Sequence, residues 1–95
     1  MAPDTRGLSL YQYDSCPFCA RVRHALDALD IELEIRDVML DRSHLQDLVE
    51  ATGRTTVPCL RIDGEAGDTV WMHESLDIIR YLDARYGQGG EGATE

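Results

Sequence analysis

The sequence has no lysine: its nine basic side chains are all arginine, set against 18 acidic ones for a formal net charge of −9. So acidic a chain repels phosphate backbones and anionic headgroups, which argues against a nucleic-acid partner and against a membrane surface. Long hydrophobic runs are missing too, and none approaches the roughly 20 residues that span a bilayer. The opening "MAPDTRGLSL" holds no basic segment followed by a long apolar one, so no secretory signal is expected. Cysteine is scarce and odd in number, three in all. That argues against a framework of structural disulfides and for a reducing, cytoplasmic setting.

What is present fits one domain. A chain of 95 residues, 43% hydrophobic, can build a single modest core and has no room for a second layered domain. Leu8, Leu10 and Tyr11 begin an apolar run to Tyr13 that reads as a strand. Ser15 is placed to cap a helix with Pro17 near its first position, where a missing N–H costs nothing. Phe18, Val22, Ala25, Leu26 and Leu29 recur at helical spacing and predict one buried face. "IELEIRDV" sets Ile31, Leu33 and Ile35 in alternation with charged residues, the period of a strand. Asp41 or Ser43 starts a second helix carrying Leu45, Leu48 and Val49, which ends near Gly53. "VPCLRID" and "TVWM" are short strands, and the "DGEAGD" between them predicts a hairpin. Ser75 is placed to cap a last helix, with Leu76, Ile79, Leu82 and Tyr86 inward and Gly87 as its stop.

This order, β-α-β-α-β-β-α, predicts an α/β fold of the thioredoxin type. It is a three-layer sandwich around a four-stranded mixed sheet, with a first βαβ unit that crosses over to a parallel strand. The folded domain is expected over residues 7–87. Residues 1–6 and 88–95 have little to bury and are expected to be flexible.

The stretch "YQYDSCPFCARVRHALDAL" carries the chemistry. Cys16 falls where the strand turns into the helix, so its sulfur is expected near free N–H groups and the positive end of the helix dipole. Such positions lower a thiol's pKa from ~8.5 to between ~3.5 and ~7.5. Cys19 lies one turn on, on the same side, close enough for a disulfide without backbone movement. Pro17 stiffens the turn and Phe18 offers an apolar surface beside the sulfur. The other readings are a zinc half-site and two ordinary core cysteines. Zinc needs two more ligands at sensible spacing; His24, five residues past Cys19, points elsewhere, and Cys59 is a lone third thiol. In a βαβ context the C-x-x-C spacing favours redox chemistry, and no metal is expected.

Two further segments point to a ligand. In "RTTVPCL", Pro58 opens a strand, either as a plain trans proline at an edge or after a cis peptide. The cis form, preferred beside the cysteine pair, frees the N–H and C=O of Val57 to pair with an extended peptide-like ligand. In "MHESLDII", the first-turn amides with Ser75 make an anion site, and Glu74 is placed to accept from an ammonium group. Together they would recognise an α-amino-acid head; the plainer reading is a routine helix cap. Cys59 directly follows Pro58 and reads either as a small buried strand residue or as a redox-active third thiol.

These motifs resemble the glutaredoxin family. "CPFC" resembles its Cys-Pro-aromatic-Cys site and "GRTTVP" its dithiol members. "YDSCPFC" and "WMHESLDIIRYLDARYG" are more similar to its glutathione S-transferase-like bacterial branch. The resemblance spans roughly residues 7–87. It implies a glutathione-dependent thiol–disulfide oxidoreductase that reduces protein–glutathione mixed disulfides and protein disulfides, with glutathione as co-substrate and modified proteins as partners. It implies that Cys16 attacks and Cys19 resolves, that Val57 pairs with the cysteinyl backbone of glutathione with Thr56 also among the binding residues, and that Glu74 and Ser75 hold its γ-glutamyl end. Phe18 and Pro58 would line the groove. Family members often carry a basic residue three positions before the first cysteine, where this chain has Tyr13 beside Asp14. The acidic neighbour is expected to raise the Cys16 pKa. Arg54, helped by Arg21 or Arg42, is the expected substitute for binding the glycyl carboxylate. The transferase-like relatives also have a helical C-terminal domain that has no counterpart in these residues. A monomer is expected. The alternatives are an iron–sulfur cluster carrier ligated through Cys16 and glutathione, and a glutathione S-transferase-like enzyme.

Overall fold

A computed structural model describes residues 5–87. The expectation of flexible ends therefore falls largely on residues 1–4 and 88–95, outside the described residues. At the edge of the described chain, the Thr5 hydroxyl donates to the Glu32 carbonyl at 2.8 Å.

The elements follow the predicted order. Strand β1 (Leu8–Gln12) leads into helix α1 (Pro17–Leu29) and strand β2 (Glu34–Asp37). Helix α2 (Arg42–Thr52), strands β3 (Cys59–Asp63) and β4 (Thr69–Met72), and helix α3 (Ser75–Tyr86) complete it. The sheet runs β2-β1-β3-β4. β1 and β2 pair in parallel, and β3 pairs antiparallel with both β1 and β4. This is the expected mixed four-stranded sheet of the thioredoxin fold. The hairpin turn closes with Gly64 N–H donating to Asp68 O at 2.7 Å, while Gly67 takes φ +94°, a conformation open to glycine.

The pleat sorts the core into two layers. Leu8 and Leu10 of β1 and Leu60 of β3 face one side, packed with Val22 and Leu26 of α1 and Ile78 and Leu82 of α3. Tyr11 and Cys59 face the other side with Val38, just past β2, and Leu48 of α2. Alternation along a strand produces this split directly, since successive side chains point to opposite faces.

Four local expectations change. Strand β2 begins at Glu34, not at Ile31; Ile31 and Leu33 are buried in the preceding loop, while Ile35, on the edge strand, is 44% exposed. The inward stripe of α1 is Cys19, Val22 and Leu26, and Phe18 is 54% exposed. On α3 the buried pair is Ile78 and Leu82, four apart on one face, while Leu76 is 54% exposed. The caps also differ. Cys16, not Ser15, caps α1, because its sulfur accepts the Cys19 N–H. Glu74, not Ser75, is the N-cap of α3, and its side chain makes no capping bond. Asp41 caps α2 as expected, accepting from Ser43 N–H at 2.9 Å, and Gly53 ends it in the left-handed region at φ +73°.

Candidate functional site

The loop between β1 and α1 is fixed before it reaches the first cysteine. Gln12, buried at the end of β1, accepts from Arg23 of α1. The same guanidinium donates to the Asp14 carbonyl at 3.2 Å. Cys16 N–H then donates to Tyr13 O at 3.2 Å, closing the turn. Pro17 opens the helix at once, and Cys16 becomes its cap with Sγ 3.3 Å from the Cys19 N–H.

That geometry divides the two thiols. Burial is the largest influence on Cys16 and pushes its pKa up. The Cys19 thiol, the N–H groups of Cys19 and Phe18, and Tyr13 outweigh it and hold Cys16 below an ordinary thiol. The expected rise caused by Asp14 does not occur, because the first turn's donors meet the sulfur directly while Asp14 is exposed on the loop. Cys19 goes the other way. Burial, the hydrogen bond to Cys16 and the neighbouring Cys16 charge push it up to about 12. One thiol thus ionises more readily than an ordinary thiol and the other keeps its proton and donates it in a hydrogen bond, the division that an attacking and a resolving thiol require. All three cysteines are free thiols. Cys16 is more enclosed than its loop position implies, at 4% exposure.

The strand opposite brings up Val57. Its peptide bond to Pro58 is cis, as preferred from the sequence. The Cys16 thiol reaches the Val57 carbonyl at 4.0 Å. A groove of about 320 Å³ runs beside this contact, lined by Phe18 and Arg21 of α1, Thr56, Val57 and Pro58, and His73, Glu74, Ser75 and Leu76. Two other hollows are larger, about 430 Å³ between α1 and the β2 edge and about 460 Å³ near Gly7 and Asp63. Neither is lined by the Phe18 turn beside Cys16 or by the Val57–Pro58 segment that its thiol meets, so the chemistry singles out the smaller groove. Among the described residues, no group of three or more His, Cys, Asp or Glu side chains is arranged to hold a metal ion.

The fold therefore brings together Cys16, Cys19, Phe18, Thr56, Val57, Pro58, Glu74 and Ser75. It does not bring in Arg54, which is exposed just after α2, where its N–H donates to the Thr52 hydroxyl at 3.2 Å. The basic group on the groove is Arg21, its guanidinium 5.6 Å from the Phe18 ring centroid. From sequence alone Arg21 has only a supporting role, and His73 and Leu76 have none at the site. The position of His73 directly before "ES" was the available signal.

A thioredoxin-fold sheet bearing a polarised thiol pair at a helix start, opposite a proline-led strand, defines a domain of the glutaredoxin and glutathione-transferase kind. A family model described as "Glutathione S-transferase, N-terminal domain" matches residues 10–90, and the chain belongs to that family. Glutaredoxin 2 of Escherichia coli K12 is 32% identical over 76 residues, which are 80% of this chain and 33% of that protein. The chloroplastic Glutaredoxin-C4 of Oryza sativa subsp. japonica is 39% identical over 74 residues, 70% of this chain and 56% of that one. A glutathione transferase homologue of Drosophila mojavensis, solved with bound glutathione, superposes with a TM-score of 0.68 at 26% identity, over 85% of this chain and 36% of that one. The chain thus spans about a third to a half of the length of these relatives.

Proposed function

We propose that this protein is a glutathione-dependent thiol–disulfide oxidoreductase of the glutaredoxin type. The observation that carries the reading is the opposite displacement of the two thiols: Cys16 is lowered by the first turn of α1 and Cys19 raised to about 12. The Cys16 thiolate attacks the glutathione sulfur of a protein–glutathione disulfide, and the protein leaves as its thiolate and takes up a proton. A second glutathione attacks the Cys16–glutathione disulfide, yielding oxidised glutathione and the Cys16 thiolate. Alternatively Cys19 loses its proton and attacks the Cys16 sulfur, releasing glutathione and closing a Cys16–Cys19 disulfide.

The groove supplies the orientation. Val57 offers peptide groups to the ligand backbone, Glu74 and the start of α3 suit the amino-acid head, and Arg21 suits a carboxylate. The relatives named glutaredoxin, and the glutathione bound in a structural neighbour, support glutathione as the ligand.

The test is turnover of a glutathionylated peptide. Cys16→Ser is expected to abolish it and Cys19→Ser to retain much of it. The reverse pattern would refute these roles. The likeness to glutathione transferases favours one second reading, conjugation of glutathione to an electrophile. Conjugation without peptide turnover would establish that reading in place of the first.

A further inference from the structure

His73 takes no part in the exchange described above. It follows β4 directly and stands half-buried in the groove wall beside Glu74 and Ser75. Its two ring nitrogens meet different surroundings. Nε2 lies 4.0 Å from the sulfur of Cys59. Nδ1 is screened from solvent and has no hydrogen-bond partner, the only buried side-chain nitrogen or oxygen among the described residues in that condition. Native proteins leave few such atoms, and each calls for a partner the bare chain does not show.

Cys59 decides what Nδ1 carries. Its side chain is fully buried among Tyr11, Val38 and Leu48. Burial pushes its pKa up to about 12, so it keeps its proton, which it can donate to Nε2. A neutral imidazole has one donor and one acceptor nitrogen. When Nε2 accepts from the Cys59 thiol, the ring proton resides on Nδ1. This is how a hydrogen bond at one nitrogen sets the state of the other.

We propose that Cys59 holds His73 as its Nδ1–H tautomer, and that on ligand entry a small turn of the ring brings this N–H, closed off in the free protein, to a carboxylate or carbonyl oxygen of the peptide ligand at the Glu74–Ser75 end of the groove. His73 is then a ligand-binding residue and Cys59 its positioning residue, which gives the third thiol a task without redox chemistry. The ligand half of this inference rests on the glutathione reading; the tautomer half does not.

Long-range proton–nitrogen correlation spectra of the reduced, ¹⁵N-labelled protein assign the tautomer, and titration with S-methylglutathione, which cannot exchange, reads affinity. The wild-type ring is expected as Nδ1–H, with that nitrogen shifting on binding. Cys59→Ser, which keeps a donor, should keep the tautomer, and Cys59→Ala should let the two tautomers mix. His73→Asn sets an amide N–H near the Nδ1 position and should hold affinity within about threefold, whereas His73→Gln and His73→Ala should each lose roughly five- to tenfold. An Nε2–H ring in the wild type would overturn the role of Cys59. Unchanged affinity in His73→Ala would overturn the ligand role and leave the glutathione reading standing. A wild-type protein that bound no S-methylglutathione would overturn that reading and the ligand half with it.

Discussion

Replacing Cys16 with serine separates the acidity of the thiol from its place in the fold. The hydroxyl is a good helix cap and accepts the same Cys19 N–H that Sγ takes at 3.3 Å. What disappears is a group whose pKa is lower in the native protein than in the unfolded chain. Between the folded-state value and the ordinary thiol value near ~8.5, the unfolded chain holds a proton that the native protein has released. Wild-type stability therefore climbs with pH across that window, by up to ~1.4 kcal/mol per pH unit. The contribution is complete above the ordinary thiol value and vanishes below the lowered one, where both states are protonated. Serine contributes nothing to this slope. Cys19 and Cys59, both pushed up to about 12, act in the opposite sense only where ordinary thiols begin to ionise. Both proteins carry these two thiols, so the difference between them, scanned from about pH 5 to about pH 9, reads chiefly the Cys16 contribution. Urea denaturation of both proteins under reductant yields the difference at each pH. On a thermal scale each kcal/mol corresponds to ~4–8 °C for a domain of this size. A difference that stays flat, or shrinks as pH rises, would refute the claim that the helix start stabilises a Cys16 thiolate.

Three other outcomes follow from the same geometry. Cys19→Ala removes a thiol donor from the Cys16 sulfur, so the midpoint of pH-dependent Cys16 alkylation should move up, whereas Cys19→Ser should hold it closer to wild type. Ile78→Ala should destabilise the fold by ~2–5 kcal/mol, and Leu76→Ala by no more than ~0.5 kcal/mol, read by urea titration. Equal losses would contradict the assignment of the buried face of α3. Arg21→Ala should raise KM for glutathione several-fold and Arg54→Ala far less, since only the first lines the groove; the opposite ranking would move the carboxylate site.

Much of this was legible because short-range rules set it. The alternation of β1 and the 3.6-residue period of α1 and α3 need only local sequence, and they placed Cys16 at a helix start. Helical spacing sets Phe18 and Leu76 on inward faces although both are exposed, because the period of a helix says which residues share a face, not what covers that face; for Phe18 the groove position implied by the resemblance is the one observed. In the structure both line the groove. Ile35 fits its alternating pattern, but its strand lies at the sheet edge, a fact of topology rather than pattern. The choice between Arg21 and Arg54 depends on how α1 sits against the Val57 loop, a long-range arrangement that spacing does not encode. The tie between Cys59 and His73 is of the same kind: they are 14 residues apart and meet only through the β3–β4 pairing.

Exchange requires that the sulfur of Cys16, nearly enclosed in the free protein, open to glutathione and bond to it. Mass spectrometry of the Cys19→Ser protein after brief exposure to oxidised glutathione tests this directly. One glutathione per chain is expected, on Cys16 alone, removed again by reduced glutathione. Addition at Cys59 instead, or no addition while Cys16 remains free, would contradict it.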